Sequence, residues 1–202
     1  MLGNDVVDLS DPETRPGARH PRFDARVFTR EERAALAAAP DPERLRWSLW
    51  AAKEAAYKCL KKLAPETAFS PVRFAVRLGA DGTGTVEAGG RRLRAALYRE
   101  GDALHAVVTD AADPQVGVLR ALAELPAEAG AEGGASQAVR ALAREAAAAE
   151  LDCHPGELAI VLEGRLPRLR RRGGLPTLDL SLSHHGRFLA AALERTPEAG
   201  AS

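Results

Sequence analysis

The chain has 202 residues, with 28 Lys+Arg against 28 Asp+Glu, so bulk charge gives no reason to expect nucleic acid or membrane binding and only local patches matter. Hydrophobic residues make up 46% but aromatic ones only 4%, so a core of Leu, Val and Ala is expected, in one large domain or two small ones. Cys59 and Cys153 sit at no metal-like spacing. No apolar run approaches bilayer-spanning length, and no signal-like pattern opens the chain, so a soluble cytoplasmic protein is expected.

Residues 1–9, M-L-G-N-D-V-V-D-L, read as a strand, with Leu2, Val6, Val7 and Leu9 as its apolar residues and Gly3-Asn4 loosening the backbone before Asp5. Asp5 is against strand propensity. It is either an edge residue facing water or a carboxylate held on rigid backbone to bind a cation. Residues 10–28 carry Pro12, Pro16, Gly17 and Pro21 and form an irregular segment dotted with Arg15, Arg19, Arg22 and Arg26. That is a solvated loop or a docking surface for an acidic partner. Thr29 and Glu32 fit a capping box for a short helix to about Ala38, and Asp41-Pro42 restarts the chain as N-cap and first helical residue.

The helix that follows contains W-S-L-W-A-A-K-E-A-A-Y-K-C-L-K at 47–61. Leu45, Leu49, Ala52, Ala56, Leu60 and Leu63 make an apolar stripe. Trp50, Glu54, Tyr57, Lys58 and Lys61 share another side, with Lys53 beside it. Taken alone, Glu54 and Lys58 are a solvated pair worth a few tenths of a kcal/mol. From residue 70 to 110 the period changes to two: Val72 to Leu78, Val86, Leu93 to Leu97 and Leu104 to Val108 predict an antiparallel meander packed on the helix, an α+β pattern.

Residues 113–135 read as a linker, part of which near Val116 to Leu125 has helical character, so units are expected at 1–112 and 136–195, with a disordered tail at 196–202. Ser136 is the expected N-cap of a helix to about Leu151. Leu158 to Glu163 reads as a strand and Gly164 to Gly174 as a basic loop, either a surface loop or one facing phosphate. Leu178, Leu180 and Leu182 alternate with Asp179, Ser181 and Ser183. His184-His185-Gly186 is the expected turn before a strand at Phe188 to Leu193.

Three of these segments form a constellation: G-N-D-V-V-D-L, W-A-A-K-E-A-A-Y-K and L-S-L-S-H-H-G. It resembles the 4′-phosphopantetheinyl transferase superfamily, marked by a G-x-D strand, a W-x-x-K-E-A-x-x-K helix and an S-x-S-H turn. H-P-R-F-D-A-R-V-F-T at 20–29 is similar to the corresponding stretch of the holo-acyl-carrier-protein synthase group. The length suits the family's pseudodimeric group, but there the S-x-S-H half comes first. Here the G-x-D and K-E-A half leads, so the resemblance implies two similar α/β units with permuted halves and a site at their interface. A third carboxylate two residues after the strand aspartate is replaced by Val7, and Asp8 falls on the opposite face of the strand.

The resemblance implies transfer of the 4′-phosphopantetheine moiety of coenzyme A to a serine of an apo acyl or peptidyl carrier protein, releasing adenosine 3′,5′-bisphosphate. It implies magnesium held by Asp5 and Glu54, Glu54 and Lys58 as catalytic residues, and coenzyme contacts from Lys53, Lys58, Arg165, Ser183 and His184. Arg22 and Arg26 would meet the acidic helix of the carrier. Fatty acid synthase, polyketide synthase and peptide synthetase carriers all fit, and pseudodimeric length favours broad or secondary-metabolic ones by analogy. A monomer that binds neither nucleic acid nor membrane is expected. The competing readings are a non-catalytic module for coenzyme A or a nucleotide on the same fold and, last, a nucleic-acid binder using the arginines at 165–172, which lack a stacking aromatic platform.

Overall fold

The computed structural model describes residues 1–126, 133–164, 166–172, 174 and 178–195. Its opening strand, β1 (Leu2–Asp8), is buried along its whole length. A loop and the short helix α1 (Phe23–Val27) lead to α2 (Arg30–Ala38). The capping box forms as the sequence predicts: Thr29 Oγ1 accepts from the Glu32 amide at 3.2 Å, and the Glu32 carboxylate accepts from the Thr29 amide at 2.8 Å. Asp41 Oδ1 accepts from the Arg44 amide at 3.0 Å and starts the central helix α3 (Pro42–Leu63). Leu49, Ala52, Ala56 and Leu60 of the apolar stripe are buried, and Leu45 and Leu63 pack against the same core.

The meander follows as β2 (Ala75–Leu78), β3 (Thr83–Ala88), β4 (Arg91–Glu100) and β5 (Ala103–Thr109). With β1 they form a five-stranded antiparallel sheet in the order β1-β5-β4-β3-β2, and α3 covers one face. Residues 71–73 form a turn of 3₁₀ helix, because Pro71 starts a tight turn, so the strand begins three residues later than alternation from Val72 suggests.

The second half holds β6 (Val118–Glu124), α4 (Gly134–Glu150), β7 (Leu158–Glu163), β8 (Leu166–Arg171), β9 (Leu178–His185) and β10 (Phe188–Arg195). β6-β10-β9 is a three-stranded antiparallel sheet under α4, and β7-β8 is a hairpin beside it. Four sequence expectations are corrected here. Residues 118–124, read as linker with helical character, are strand β6, because β10 offers them seven aligned partners. The basic stretch is mostly strand β8: Leu169 points into the core, while Arg168 and Arg170 pair with Glu163 and Arg171 with Glu157. α4 starts at Gly134 behind Gly133, which has φ +82°, and the Ser136 hydroxyl instead accepts from Arg140 Nη1 at 2.9 Å. His184 and His185 belong to β9, and the turn is Gly186-Arg187, with Gly186 at φ +53°. The tail at 196–202 lies outside the described residues.

The halves meet where β1 lies beside β9 and β10. Val6 and Ala103 pack on Phe188 and Ala190, and Leu2 and Val107 pack on Ala192. Among the described residues no helix is long and apolar enough to cross a membrane.

Candidate active site

Gly3 is what lets the site exist. A Cβ at this position would collide with the Ala55 carbonyl oxygen and the Cys59 amide nitrogen, so β1 lies directly on the backbone of α3. The glycine serves close approach rather than a loosened backbone, since it sits in regular paired strand. On the same face two residues on, Asp5 reaches the helix. Its Oδ1 accepts from Lys58 Nζ at 2.9 Å and from Ser183 Oγ at 2.9 Å. Lys58 also donates to Asn4 O at 2.9 Å and to Leu182 O at 3.5 Å. One ammonium group thus ties β1, α3 and β9 together.

Glu54 lies one helical turn before Lys58 and is half-buried, and among the described residues its carboxylate makes no hydrogen bond or ion pair. Its pKa is pushed up to about 7, first by burial and then by the Asp5 carboxylate, while Lys58 pulls it back down. His184 stands exposed at the rim. Its pKa is held below the ordinary histidine value, first by partial burial and then by Lys58 and His185, which favours the neutral ring. The two carboxylates, one unpartnered, are the hard oxygen donors a small divalent cation takes, and few enough to leave room for water and substrate oxygens. The residues present therefore fit such an ion.

Asp5, Glu54, Lys58, Ser183 and His184 are brought together. The other sequence candidates are not. Lys53 faces the opposite way: it is wholly buried, and its ammonium contacts Glu32 at 2.8–2.9 Å and the carbonyls of Pro71 and Phe74. Burial lowers its pKa while Glu32 raises it, as expected for a structural ion pair that ties α2 and α3 to β2. A coenzyme contact from Lys53 is thereby corrected, because no ligand reaches it. Arg165 lies outside the described residues. Arg26 is exposed on α1 and Arg22 is exposed at its N-cap, and neither makes a hydrogen bond or ion pair to Asp5 or Glu54. Asp8 does face away from Asp5. Although burial opposes it, hydrogen bonds from Arg187 and then Ser10 hold its carboxyl below the usual range. Trp50 and Tyr57 of the helix's polar side pack against Phe69.

The sequence reading missed Lys62, Asp179 and Ser181. Lys62 Nζ bonds both Asp179 oxygens at 2.9 and 3.0 Å, with both side chains nearly inaccessible. The signal was present: Lys62 follows Lys58 by one turn, and Asp179 extends the two-residue polar period of Ser181 and Ser183.

The family model described as the 4′-phosphopantetheinyl transferase superfamily matches residues 1–111, more than half the chain. The chain belongs to that superfamily. Among solved structures it is similar to a holo-acyl-carrier-protein synthase from Neisseria meningitidis, with 23% identity over 53% of this chain and 94% of that one, at TM-score 0.43. It is also similar to the holo-acyl-carrier-protein synthase of Thermotoga maritima, with 16% identity over 53% of this chain and 60% of that one, at TM-score 0.33. Overlaps of this size carry no conclusion. A comparison with curated proteins returned no match.

Proposed function

We propose that the chain transfers the 4′-phosphopantetheine moiety of coenzyme A to a serine hydroxyl of an apo acyl or peptidyl carrier protein and releases adenosine 3′,5′-bisphosphate. The observation that carries this reading is the meeting of three distant motifs: Asp5 is hydrogen-bonded to both Lys58 and Ser183, beside the Glu54 carboxylate, which has no partner among the described residues. Asp5 and Glu54 would hold magnesium. Bound there, the ion would neutralise the diphosphate and stabilise the leaving group.

The protein's own groups do the rest. The carrier serine oxygen bonds to the β-phosphorus as the bridge to the α-phosphate breaks, and the serine proton passes to Glu54, directly or through water. Lys58 offsets diphosphate charge by turning its longest hydrogen bond, 3.5 Å to Leu182 O, toward the ligand. Ser183 spends its proton on Asp5, which leaves His184 as the side chain of the S-x-S-H motif free to meet a phosphate. We read the architecture as a pseudodimer with permuted halves, 1–112 and 136–195, with β6 joining the second, acting as a monomer in the cytoplasm.

The test is labelling of a panel of apo carriers with tagged coenzyme A, with and without magnesium. Magnesium-dependent labelling by the parent is expected, with a loss of about 100-fold or more in Glu54→Ala at unchanged circular dichroism. Binding of coenzyme A with no labelling of any carrier would support the non-catalytic module instead.

A further inference from the structure

Strand β1 is an edge strand of its sheet, yet its outward backbone groups are not bare. The amides of Leu2, Asn4, Val6 and Asp8 donate to Asp179 Oδ2, Ser181 Oγ, Ser183 Oγ and His185 Nδ1, at 2.8, 2.9, 3.0 and 3.1 Å. Partners advance by two residues on both strands, so β1 and β9 run parallel, with side chains of β9 in place of a backbone ladder. The outward carbonyls are met from α3. Lys62 joins Leu2 O to Leu180 O, both at 2.7 Å, and Lys58 joins Asn4 O to Leu182 O. A strand that slips one residue turns all its side chains to the other face. A one-residue slip here would set Leu180 and Leu182 against the β1 amides. A two-residue slip would strip the buried Lys62 of its buried carboxylate partner.

We propose that Asp179, Ser181 and Lys62 are positioning residues: they set the register of β1 against β9 and so aim Asp5 at the site without touching the substrate. The catalytic consequence rests on the transferase reading above. In this arrangement the second half serves the first by reading its backbone, and the S-x-S-H motif is half register device and half ligand contact.

Backbone amide hydrogen exchange tests the geometry without reference to activity. In the parent, the amides of Leu2, Asn4, Val6 and Asp8 exchange as slowly as the alternate ones bonded to β5. Ser181→Ala releases Asn4 and lowers kcat about tenfold or more while KM for coenzyme A stays within about twofold, because a misaimed group costs rate rather than binding. Ser181→Thr, which keeps the hydroxyl, restores both. Should Ser181→Ala not fold, Ser181→Cys keeps the shape of the side chain but puts a poor acceptor opposite the Asn4 amide, and the same split of kcat from KM is expected. The proposal is overturned by fast exchange at Asn4 in the parent, by parental kcat in Ser181→Ala, or by a rate loss that only follows the unfolded fraction. A parent with slow exchange at the four amides but no transfer supports the register device and discards the transferase reading.

Discussion

His105 is 1% exposed between the halves, with Nε2 3.1 Å from Asn4 Nδ2 and Nδ1 without a partner among the described residues. Burial first, and then the charges of Arg120 and Lys58, push its pKa down to about 3. In the unfolded chain it titrates near 6.5. Between those values the unfolded state binds the extra proton, so stability is lost as pH falls from about 6.5 toward 3, by about 2 kcal/mol at pH 5. Urea denaturation at pH 7.5 and pH 5 checks this: the parent is expected to lose about that much more than His105→Gln. Equal losses would mean that His105 titrates freely in the fold. Nothing in the sequence marks His105 apart from any other strand histidine, because its state depends on which sheet lies over it. Glu54 is the opposite case. Its place in K-E-A singles it out in the sequence, while its lack of a partner among the described residues is visible only in the fold.

At the scale of elements, the contact of β1 with α3 decides whether Asp5 can meet Glu54. Gly3→Ala would force strand and helix apart, since the neighbours are helix backbone with no flexible end to move. A loss of about 1–3 kcal/mol, the ordinary cost of overpacking, is expected in chemical denaturation, together with lost labelling of a carrier. Full stability and labelling in Gly3→Ala would show that the helix can shift and that the close approach is dispensable. α3 was legible because its apolar stripe, its Asp41-Pro42 start and its lack of glycine all agree. β6 and β8 were not, because a short run rich in Leu and Ala, or in Leu and Arg, becomes strand only when a partner strand is aligned with it. The alternation of Asp179, Ser181 and Ser183 was plain in the sequence, but period two states only that they share a side, and His185, which extends it, reads as part of a turn. That the side faces another strand's amides could not be read there.

For the whole molecule, the halves are joined by apolar contacts and by two lysines that each span both strands at the seam, Lys62 buried and Lys58 partly exposed. Breaking a buried pair such as Lys62–Asp179 by removing one partner typically costs about 3–5 kcal/mol, so the seam is specified as well as packed. Arg22 and Arg26 lie outside it, exposed and, among the described residues, in no ion pair. If they meet an acidic carrier, Arg22→Glu with Arg26→Glu lowers kcat/KM for the carrier about tenfold or more at low salt and less at high salt, with KM for coenzyme A unchanged. An effect independent of salt would place the carrier elsewhere. The claim on which the rest depends is that Asp5 and Glu54 act on one site, and a double-mutant cycle on the transfer rate tests it most directly. Asp5→Asn and Glu54→Gln are each expected to cost about 100-fold, and the double variant little more than either, because residues of one unit fail together. Losses that multiply to about 10⁴-fold, or either single variant working near the parental rate, would contradict it.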